Sequence, residues 1–417
     1  MSIMLLQFSC ENHKSIKNKV VFSTTASNDV NKDELMQFDN NYVIRSAAIY
    51  GANGSGKSNF ISALEFVRAL VVESIKHQPG QGVFQALHKL SERMAPSIYN
   101  IQFVKNRIKY VYEFSIKENL VSSEYLYYYP NGRKTIIFER NGLNIYPGDK
   151  YKSVFELSLG VLKDNRLFLS CAANYTNLKE IEDAFLFFNN DMVIYNPNTN
   201  INPGSWIEKS IKLLQENKVV KEFFVDILKT LQTGITDIKV KFETKMMNAS
   251  ELPQEMPDAL KALFTAQETN QMEAKVVYDG FETDLMSEES TGIKKLFEIV
   301  CPIIDVLNND KVFICDEIET NLHETVVKQI IQLFKYMKKD NFAQLLFTTH
   351  NTNLLSMDLF RRDQVWFTQL DAGRSTQLYP LTEIRNVRRA ENLERGYISG
   401  KYGAIPMLNK DIFEFWH

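Results

Sequence analysis

The sequence predicts an α/β fold with a parallel sheet that is assembled from two distant parts of the chain. Three apolar segments, at residues 42–50, 311–315 and 344–349, predict strands, and each runs directly into a polar motif. Strands that are covered on both faces, as in parallel sheets, have nearly continuous apolar sequences. Ligands bind beyond the carboxyl ends of such strands, so the three polar motifs are expected to meet at one edge of the sheet.

The first motif is a glycine-rich loop, Gly-Ala-Asn-Gly-Ser-Gly-Lys-Ser at residues 51–58, between a predicted strand and a helical pattern. Glycines let backbone N–H groups turn toward phosphates, and the helix start adds a positive dipole end. Lys57 can reach the β- and γ-phosphates, and the Ser58 hydroxyl can hold Mg²⁺. A loop that only turns the chain would not explain this Lys-Ser pair. The candidate nucleotide-binding residues are Asn53, Gly54, Ser55, Gly56, Lys57, Ser58 and Asn59.

The composition is that of a soluble globular protein, with 44% hydrophobic and 24% charged residues among 417. The formal net charge of −3 provides no global basic field for nucleic acid. Four scattered cysteines without metal-ligand spacing indicate reduced thiols and a cytoplasmic protein. The first residues lack the charged region of a signal peptide, and no apolar run is long enough to cross a membrane.

The second motif is a pair of carboxylates, Asp316 and Glu317, directly after the apolar run 311–315. In this position Asp316 would coordinate Mg²⁺, and Glu317 would act as the general base on the attacking water. The alternative is an acidic cap for the helix predicted at residues 324–337. That alternative accounts for one acid but not for an adjacent pair.

The third motif is His350, which follows the strand predicted at residues 344–349. A single histidine is usually structural, but this one lies at the ligand edge of the predicted sheet. There it can hydrogen-bond a γ-phosphate or a catalytic water. More than half of the chain separates Lys57 from Asp316, which implies that two distant lobes build one site.

The segments between the motifs divide the chain into three predicted regions: an N-terminal lobe with a β subdomain at 1–160, a mainly helical insertion at 161–272 and a C-terminal lobe at 273–417. Alternating patterns over residues 97–145 predict antiparallel strands, with a hairpin at Asn131-Gly132. The tyrosines at 125–129 could stack on bases, but cross-strand aromatic packing is the favoured interpretation.

A Ser-Thr-Gly turn at residues 290–292 opens a predicted helix some 20 residues before the carboxylate strand. Taken alone, it is a helix cap. In this position it matches the signature loop of ATP-binding-cassette ATPases. In that arrangement the loop contacts the γ-phosphate bound by a second copy, with the helix N-terminus and the serine hydroxyl aimed at it.

Together these motifs resemble a known family over essentially the whole chain. The resemblance is to the ABC-type and AAA-type ATPases of the overcoming-lysogenization-defect (OLD), RloA and AbiL abortive-infection group. These are related to SMC (chromosome-maintenance) and RecF heads and are similar to the ATPase subunit of PARIS-like systems. The fold implied is a two-lobed, ABC-type P-loop ATPase head with an antiparallel β subdomain and a helical insertion. The segments that carry the resemblance are residues 8–16, 51–58, 289–297, 316–319 with 321–323, 348–351 and 396–406.

The resemblance implies ATP and Mg²⁺ as cofactors and a role for each matching residue. It places Lys14 near the phosphates, Ser290 and Gly292 on the partner's γ-phosphate, and His350 as the switch histidine. It implies the same roles for Lys57, Ser58, Asp316 and Glu317 as those argued above. Two residues depart from the family pattern: His13 replaces an aromatic residue, and Thr291 replaces glycine or aspartate. The metal-contacting glutamine is not evident, and residues 164–170 are where we expect it.

The functional implication is a sensor ATPase of bacterial anti-phage defence. It would dimerise around ATP, or form a larger oligomer, respond to a phage-encoded trigger and control a separate effector, a Toprim-like nuclease. One alternative is a RecF-like DNA-repair ATPase that clamps DNA; residues 361–401, with eight basic and five acidic side chains, support it weakly. Another alternative is a nucleotide-dependent scaffold that hardly hydrolyses ATP.

Overall fold

A computed structural model describes residues 2–27, 32–197, 205–246, 257, 268–388 and 391–405. The sequence also predicts an exposed Met-, Glu- and Gln-rich region at residues 246–269, and its residues 247–267, apart from Pro257, fall outside the described ones. Arg389, which belongs to a predicted basic helix face, and Pro406, the last residue of the segment 396–406, also lie outside the described residues. Among the described helices, none combines the length and the apolar character that a membrane span needs.

The strands follow the apolar segments of the sequence closely. They are β1 (Ile3–Glu11), β2 (Val20–Ser23), β3 (Met36–Phe38), β4 (Asn41–Val43), β5 (Ser46–Gly51), β6 (Ser97–Lys105), β7 (Ile108–Lys117), β8 (Leu120–Tyr129), β9 (Thr135–Asn141), β10 (Asn144–Pro147), β11 (Met192–Tyr195), β12 (Asp237–Met246), β13 (Glu268–Val277), β14 (Glu282–Asp284), β15 (Val312–Cys315), β16 (Gln344–Thr348), β17 (Val365–Leu370) and β18 (Thr376–Pro380).

The helices occupy the segments with helical spacing. They are α1 (Lys57–Glu73), α2 (Glu156–Val161), α3 (Phe168–Tyr175), α4 (Lys179–Leu186), α5 (Ser205–Glu216), α6 (Lys218–Thr230), α7 (Thr291–Asn308), α8 (Glu324–Lys335) and α9 (Leu393–Ile398).

The central sheet confirms the predicted parallel architecture. Its six strands have the order β11-β15-β16-β5-β17-β18, and every neighbouring pair is parallel except β17 with β18. Because β5 lies between β16 and β17, the N-terminal glycine loop is brought beside strands that come from the end of the chain. Strand β11 was missed, since its four residues lie within a stretch of helical spacing.

A seven-stranded antiparallel sheet, ordered β10-β9-β8-β7-β6-β1-β2, forms the predicted β subdomain. One hydrophobic core contains residues from both large sheets and from α1. Phe60 of α1 lies 5.5 Å from Phe8 and 5.9 Å from Phe22, measured between ring centroids. The helix that follows the glycine loop is therefore held by aromatic contacts on its buried side.

The tyrosine cluster packs across strands, as predicted. Tyr128 lies opposite Tyr110 in the β7–β8 register, and their rings are stacked at 6.1 Å. On the other face of the sheet, Tyr125 and Tyr127 are stacked at 4.6 Å. The Tyr127 hydroxyl donates to the Glu139 carboxylate. A carboxylate beside these rings is unfavourable for a phosphate backbone, which argues against a base-stacking platform.

The described chain forms two compact units, residues 1–197 with 306–417 and residues 198–305. The predicted insertion, at 161–272, has different boundaries. Helices α3 and α4 belong to the first unit, while most of α7 belongs to the second. The second unit also contains the three-stranded sheet β12-β13-β14 beside its helices.

Three local predictions differ from the structure. The segment 42–50 is divided between β4 and β5, because the chain bends at Arg45, a buried residue that donates to the carbonyl oxygens of Lys338 and Asn341. The sequence also predicts a polar loop at residues 26–40, and the structure places the short strand β3 within it. The sequence further predicts a short basic helix face at Arg385, Arg388 and Arg389; its described part is not helical, since Arg385 lies in a turn and Arg388 in an irregular segment.

Candidate active site

The glycine loop joins the C-terminal end of β5 to the N-terminus of α1. Gly54 and Gly56 have φ angles of 76° and 107°, which side-chain-bearing residues rarely adopt. Asn53 and Gly54 are exposed at the tip of the loop. The loop therefore presents backbone N–H groups and a helix N-terminus at the carboxyl edge of the sheet, which favours anions.

Two threonines from β17 and β18 support the loop from below. The hydroxyls of Ser55 and Thr368 are 2.7 Å apart, and Thr376 donates to the Ser55 carbonyl at 2.9 Å. A Cβ atom at Gly51 would lie 2.3 Å from Thr368 Oγ1, and one at Gly56 would lie 2.0 Å from Thr376 Oγ1. Sequence reasoning missed both threonines, because they are more than 300 residues from the loop and follow no motif.

Lys57, the predicted phosphate ligand, is buried at the first position of α1. Its ammonium donates to the carbonyl oxygens of Gly51 at 2.7 Å and Ala52 at 3.2 Å, and lies 3.5 Å from His350 Nδ1. Burial lowers the pKa of Lys57 to about 8, against the opposing effect of nearby carboxylates, chiefly Asp316. A buried cation that is held only by carbonyl oxygens and acidic neighbours is available for an anionic ligand.

Asp316, the predicted metal ligand, is fully buried after β15. Thr348 donates to its Oδ1 at 2.6 Å, whereas Oδ2 has no hydrogen-bond partner among the described residues. A buried carboxylate oxygen without a partner is costly, and a cation or a cation-bound water would satisfy it. No group of three or more metal-ligating side chains exists in the described part of the chain. This donor set suits Mg²⁺, which typically takes one or two carboxylates together with phosphates and waters.

Glu317, the predicted general base, follows Asp316 in the same turn. Its backbone has a φ of 49°, an uncommon conformation for this residue type. The N–H of Glu317 donates to Thr348 Oγ1 at 2.8 Å, so one threonine fixes both acids. The hydroxyl of Thr320 lies 3.4 Å from the Glu317 carboxylate. The side chain remains partly exposed at the edge of the sheet.

His350 is placed beside these groups by β16, which lies between the carboxylate strand and the glycine-loop strand. Its backbone N–H donates to Glu319 Oε1 at 2.6 Å. Its pKa is lowered by burial and by Lys57, while Glu319, Glu317 and Asp316 oppose this effect. Sequence reasoning assigned no role to Glu319, because an acid three residues after Asp316 has no distinctive spacing.

The loop after β1 carries Lys14, which is exposed and donates its backbone N–H to Ala86. The next residue, Ser15, lies 2.7 Å from both Thr376 Oγ1 and Asn59 Nδ2. These hydrogen bonds connect the Lys14 loop to the start of α1. Lys14 and Asn59 are therefore brought close to the glycine loop. Their contacts do not by themselves identify a role for either side chain.

His13, the departure from the family's aromatic residue, is buried in an aromatic environment. Its ring lies 5.7 Å from Tyr99 and 6.0 Å from Phe66. Nδ1 lies 2.8 Å from the Tyr99 hydroxyl, and Nε2 lies 3.1 Å from the Ser62 hydroxyl. Burial lowers its pKa to about 3, with a smaller contribution from Lys14. The histidine thus fills an aromatic slot and keeps both ring nitrogens paired.

This buried neutral histidine predicts a pH-dependent stability. In the unfolded chain His13 takes up a proton near pH 6.5, whereas in the folded chain it does not. The contribution of His13 to the free energy of unfolding is therefore complete above that pH and falls as the pH decreases toward 3. The free energy of unfolding of the wild type, minus that of His13→Gln, should fall by about 1.4 kcal/mol per pH unit below pH 6. Urea unfolding at pH 5 to 8 measures this difference. A difference that is constant over this range would contradict a neutral buried ring.

Ser290 and Gly292, the predicted signature residues, lie at the N-terminus of α7 in the second unit. The Ser290 hydroxyl accepts the N–H of Ile293 at 3.3 Å, and both Ser290 and Thr291 are exposed. The helix-cap role is therefore present. The same exposure leaves the helix N-terminus accessible to another molecule. These residues and the glycine loop belong to different units of the chain.

The closing motif at residues 396–405 packs beside the glycine-loop strand. The Tyr397 ring is stacked on Phe367 at 5.6 Å and lies 6.0 Å from Tyr50, the residue before the loop. Glu394 of α9 accepts from Thr352, two residues after His350, at 3.1 Å. A Cβ atom at Gly396 would lie 2.3 Å from the Tyr402 hydroxyl, which explains the glycine.

The segment 164–170, where we expected the metal-contacting glutamine, is occupied by structural contacts. The amide of Asn165 is fully buried and donates to the carbonyl oxygens of Gln78 and Gln81, each at 2.7 Å. The backbone N–H groups of Phe168 and Leu169 donate to the buried Glu124 carboxylate. These bonds fasten α3 to the antiparallel sheet.

The parallel sheet and the glycine loop, with a lysine and two acids at one edge, define a P-loop nucleotide-binding protein. The family described as "AAA domain, putative AbiEii toxin, Type IV TA system" matches residues 46–167 and 251–356, more than half of the chain. The chain belongs to this family. The matched ranges contain the glycine loop, the two acids and His350.

Solved structures of SMC heads are similar to this chain at 14% identity. The SmcHead bound to the C-winged helix domain of ScpA has a TM-score of 0.46 and covers 90% of this chain and 97% of its own. The SMC head domain from Thermotoga maritima has a TM-score of 0.41 and covers 90% of this chain and 98% of its own. A third structure is the Smc head domain with an extended coiled coil, bound to the C-terminal domain of ScpA derived from Pyrococcus furiosus. It has a TM-score of 0.46 and covers 91% of this chain and 96% of its own. No curated protein matches the chain.

Proposed function

We propose that this chain binds ATP with Mg²⁺ and hydrolyses it at the carboxyl edge of its parallel sheet. One observation carries the proposal: Lys57 lies 3.5 Å from His350 and within the electrostatic influence of Asp316, Glu317 and Glu319. These groups follow three strands, of which β5 is far in sequence from β15 and β16. A structural lysine would not require two adjacent acids and a histidine at the same strand ends.

Each side chain takes one task in this proposal. The glycine-loop N–H groups and Lys57 would bind the β- and γ-phosphates. Ser58 and Asp316 would hold Mg²⁺, which would neutralise phosphate charge. Glu317 accepts a proton from the attacking water as that water approaches the γ-phosphate. His350 donates a hydrogen bond to the same phosphate or water and holds it in line. Lys57 must exchange its contacts with the Gly51 and Ala52 carbonyl oxygens for the phosphates.

The proposed site is complete only in a dimer. Ser290 and the N-terminus of α7 are exposed, and a helix N-terminus with a serine hydroxyl suits the γ-phosphate held by a second copy. Assembly would follow from this arrangement, because each triphosphate would contact both chains. A dimer of this kind is isologous and closed, with two equivalent sites.

A mixing experiment tests the shared site. Lys57→Ala and Ser290→Arg should each abolish ATP turnover, because one removes the phosphate ligand and the other blocks the partner's contribution. In a heterodimer of the two variants, one of the two sites has both residues intact. An equimolar mixture that exchanges subunits freely should therefore recover about one quarter of wild-type turnover.

Steady-state phosphate release measures the recovery. A Lys57→Ala chain mixed with a second Lys57→Ala preparation serves as the control and should stay inactive. If mixing recovers nothing while subunit exchange is demonstrated by light scattering and labelled chains, Ser290 does not act across an interface. If the wild type itself releases no phosphate with Mg²⁺ present, the ATPase proposal fails.

We also propose that the ATPase acts as a sensor in anti-phage defence by abortive infection and controls a separate effector, a Toprim-like nuclease. The family description and the narrow resemblance of residues 396–406 to the RloA and AbiL group support this role. Phage plating on cells that carry this gene with its neighbouring gene tests the proposal. Protection against phage that needs both genes would support the proposal. Protection that persists when either gene is deleted would contradict it.

A further inference from the structure

Glu319 lies next to the proposed catalytic groups but has no part in the hydrolysis described above. One of its carboxylate oxygens, Oε1, accepts the backbone N–H of His350 at 2.6 Å. The other, Oε2, is buried and has no hydrogen-bond partner among the described residues. An unpaired buried carboxylate oxygen is costly, so its partner is expected to arrive when the site changes state.

The neighbours of Glu319 indicate which group that partner is. His350 Nδ1 faces the Lys57 ammonium at 3.5 Å, so in this state Nδ1 is an acceptor. When Lys57 moves to the phosphates, Nδ1 loses this donor. Glu319 already accepts the His350 backbone N–H and has a second buried oxygen without a partner among the described residues. A carboxylate that accepts a hydrogen bond from a histidine ring nitrogen fixes the orientation of the ring.

We propose that Glu319 is a positioning residue for His350: Oε1 fixes its backbone, and Oε2 accepts the Nδ1–H of its ring once Lys57 has moved to the triphosphate. This inference rests on the proposed ATPase. In that state the ring takes up one proton from solvent at Nδ1 and keeps the proton on Nε2, so that Nε2–H is donated to the γ-phosphate or the attacking water in one orientation. Glu319 itself touches neither substrate nor water.

The Glu319→Gln variant separates the two oxygens. Its amide oxygen can still accept the His350 N–H, whereas its NH₂ group cannot accept Nδ1–H. The kcat for ATP should fall by about tenfold to hundredfold, as for partners that orient metal-bound histidines, while KM changes less than about threefold. Glu113→Gln is the matched control, because Glu113 is also half-buried and accepts a hydrogen bond, from Asn100 at 2.9 Å. It should leave both constants unchanged.

A double-mutant cycle distinguishes positioning from general destabilisation. If Glu319 acts through His350, Glu319→Gln should lower kcat no further in a His350→Ala background. Additive losses would overturn the proposal. Tyr50→Phe covers a further alternative, since the Tyr50 hydroxyl is also buried without a partner and could hold a water against Oε2. If this variant lowers kcat as much as Glu319→Gln, the oxygen serves a structural water and the proposal fails.

Chemical modification provides a readout that does not depend on turnover. Carbethoxylation of the full-length chain, mapped by mass spectrometry, reports the reactivity of the His350 ring, with His323, which is also exposed, as internal reference. Glu319→Ala should increase the rate at His350 relative to His323, because the backbone anchor is lost. An unchanged ratio overturns the anchoring role even if the wild type proves inactive, whereas inactivity with an increased ratio contradicts only the proposed ATPase.

Discussion

Replacing Glu317 with glutamine is expected to lower ATP turnover by about 10²–10⁴-fold while ATP binding is retained. The amide has the size of the carboxylate but cannot take a proton from water. The surrounding turn should persist, because it is held by the backbone N–H of Glu317 on Thr348 and by the buried Asp316. The variant should therefore accumulate the ATP-bound dimer, which the wild type populates only transiently.

Phosphate release and light scattering with ATP and Mg²⁺ measure the two parts of this prediction. Glu139→Gln is a suitable control, since Glu139 is a half-buried acid in the same unit whose partner is the Tyr127 hydroxyl. It should hydrolyse ATP at the wild-type rate. Undiminished turnover in Glu317→Gln would exclude Glu317 as the base, and turnover lost together with ATP binding would indicate a structural role instead.

The second large effect is expected from Gly56→Ala. The φ of Gly56 is 107°, and a Cβ atom there would lie 2.0 Å from Thr376 Oγ1. Thr376 cannot move aside freely, because its hydroxyl is bonded to Ser15 and to the Ser55 carbonyl. Backbone strain and overpacking together should lower the free energy of unfolding by about 3 kcal/mol or more and displace the loop from its phosphate-binding shape.

Gly54→Ala is the matched control in the same loop. Gly54 also has a positive φ, 76°, but a Cβ atom there would meet nothing within 4 Å. Only the backbone cost of about 1–2 kcal/mol should remain. Urea unfolding and ATP titration of both variants measure the comparison. Equal losses in the two would show that the contact with Thr376 does not determine the conformation of the loop.

The sequence was sufficient where the chemistry is local. The glycine loop, the acid pair and His350 each follow an apolar strand directly, so period and composition within about ten residues place them at strand ends. The parallel sheet followed from the same apolar runs and is confirmed. The tyrosine hairpin was predictable for the same reason, since Asn131-Gly132 marks the turn and alternation marks both strands.

The sequence could not identify the residues that reach the site only because of how the strands pair. Thr348 joins Asp316 to Glu317, and Thr368 and Thr376 support the loop, yet each is an ordinary strand threonine in its own segment. Strand β11 was missed because four residues beside helices carry too little periodicity. The sequence also could not show that α3 is fastened to the antiparallel sheet by Glu124, because this contact joins distant segments.

The sequence by itself determined the motifs, their order and the chemistry they carry, because these depend on residue type and short spacing. Only the tertiary structure decided that β5 lies between β16 and β17, so that Lys57 meets His350 and the acids of a strand from the other end of the chain. It also decided that one oxygen of Glu319 is bonded and the other is not. Such facts depend on strand order and burial, which are set by the packing of the whole core rather than by any local pattern.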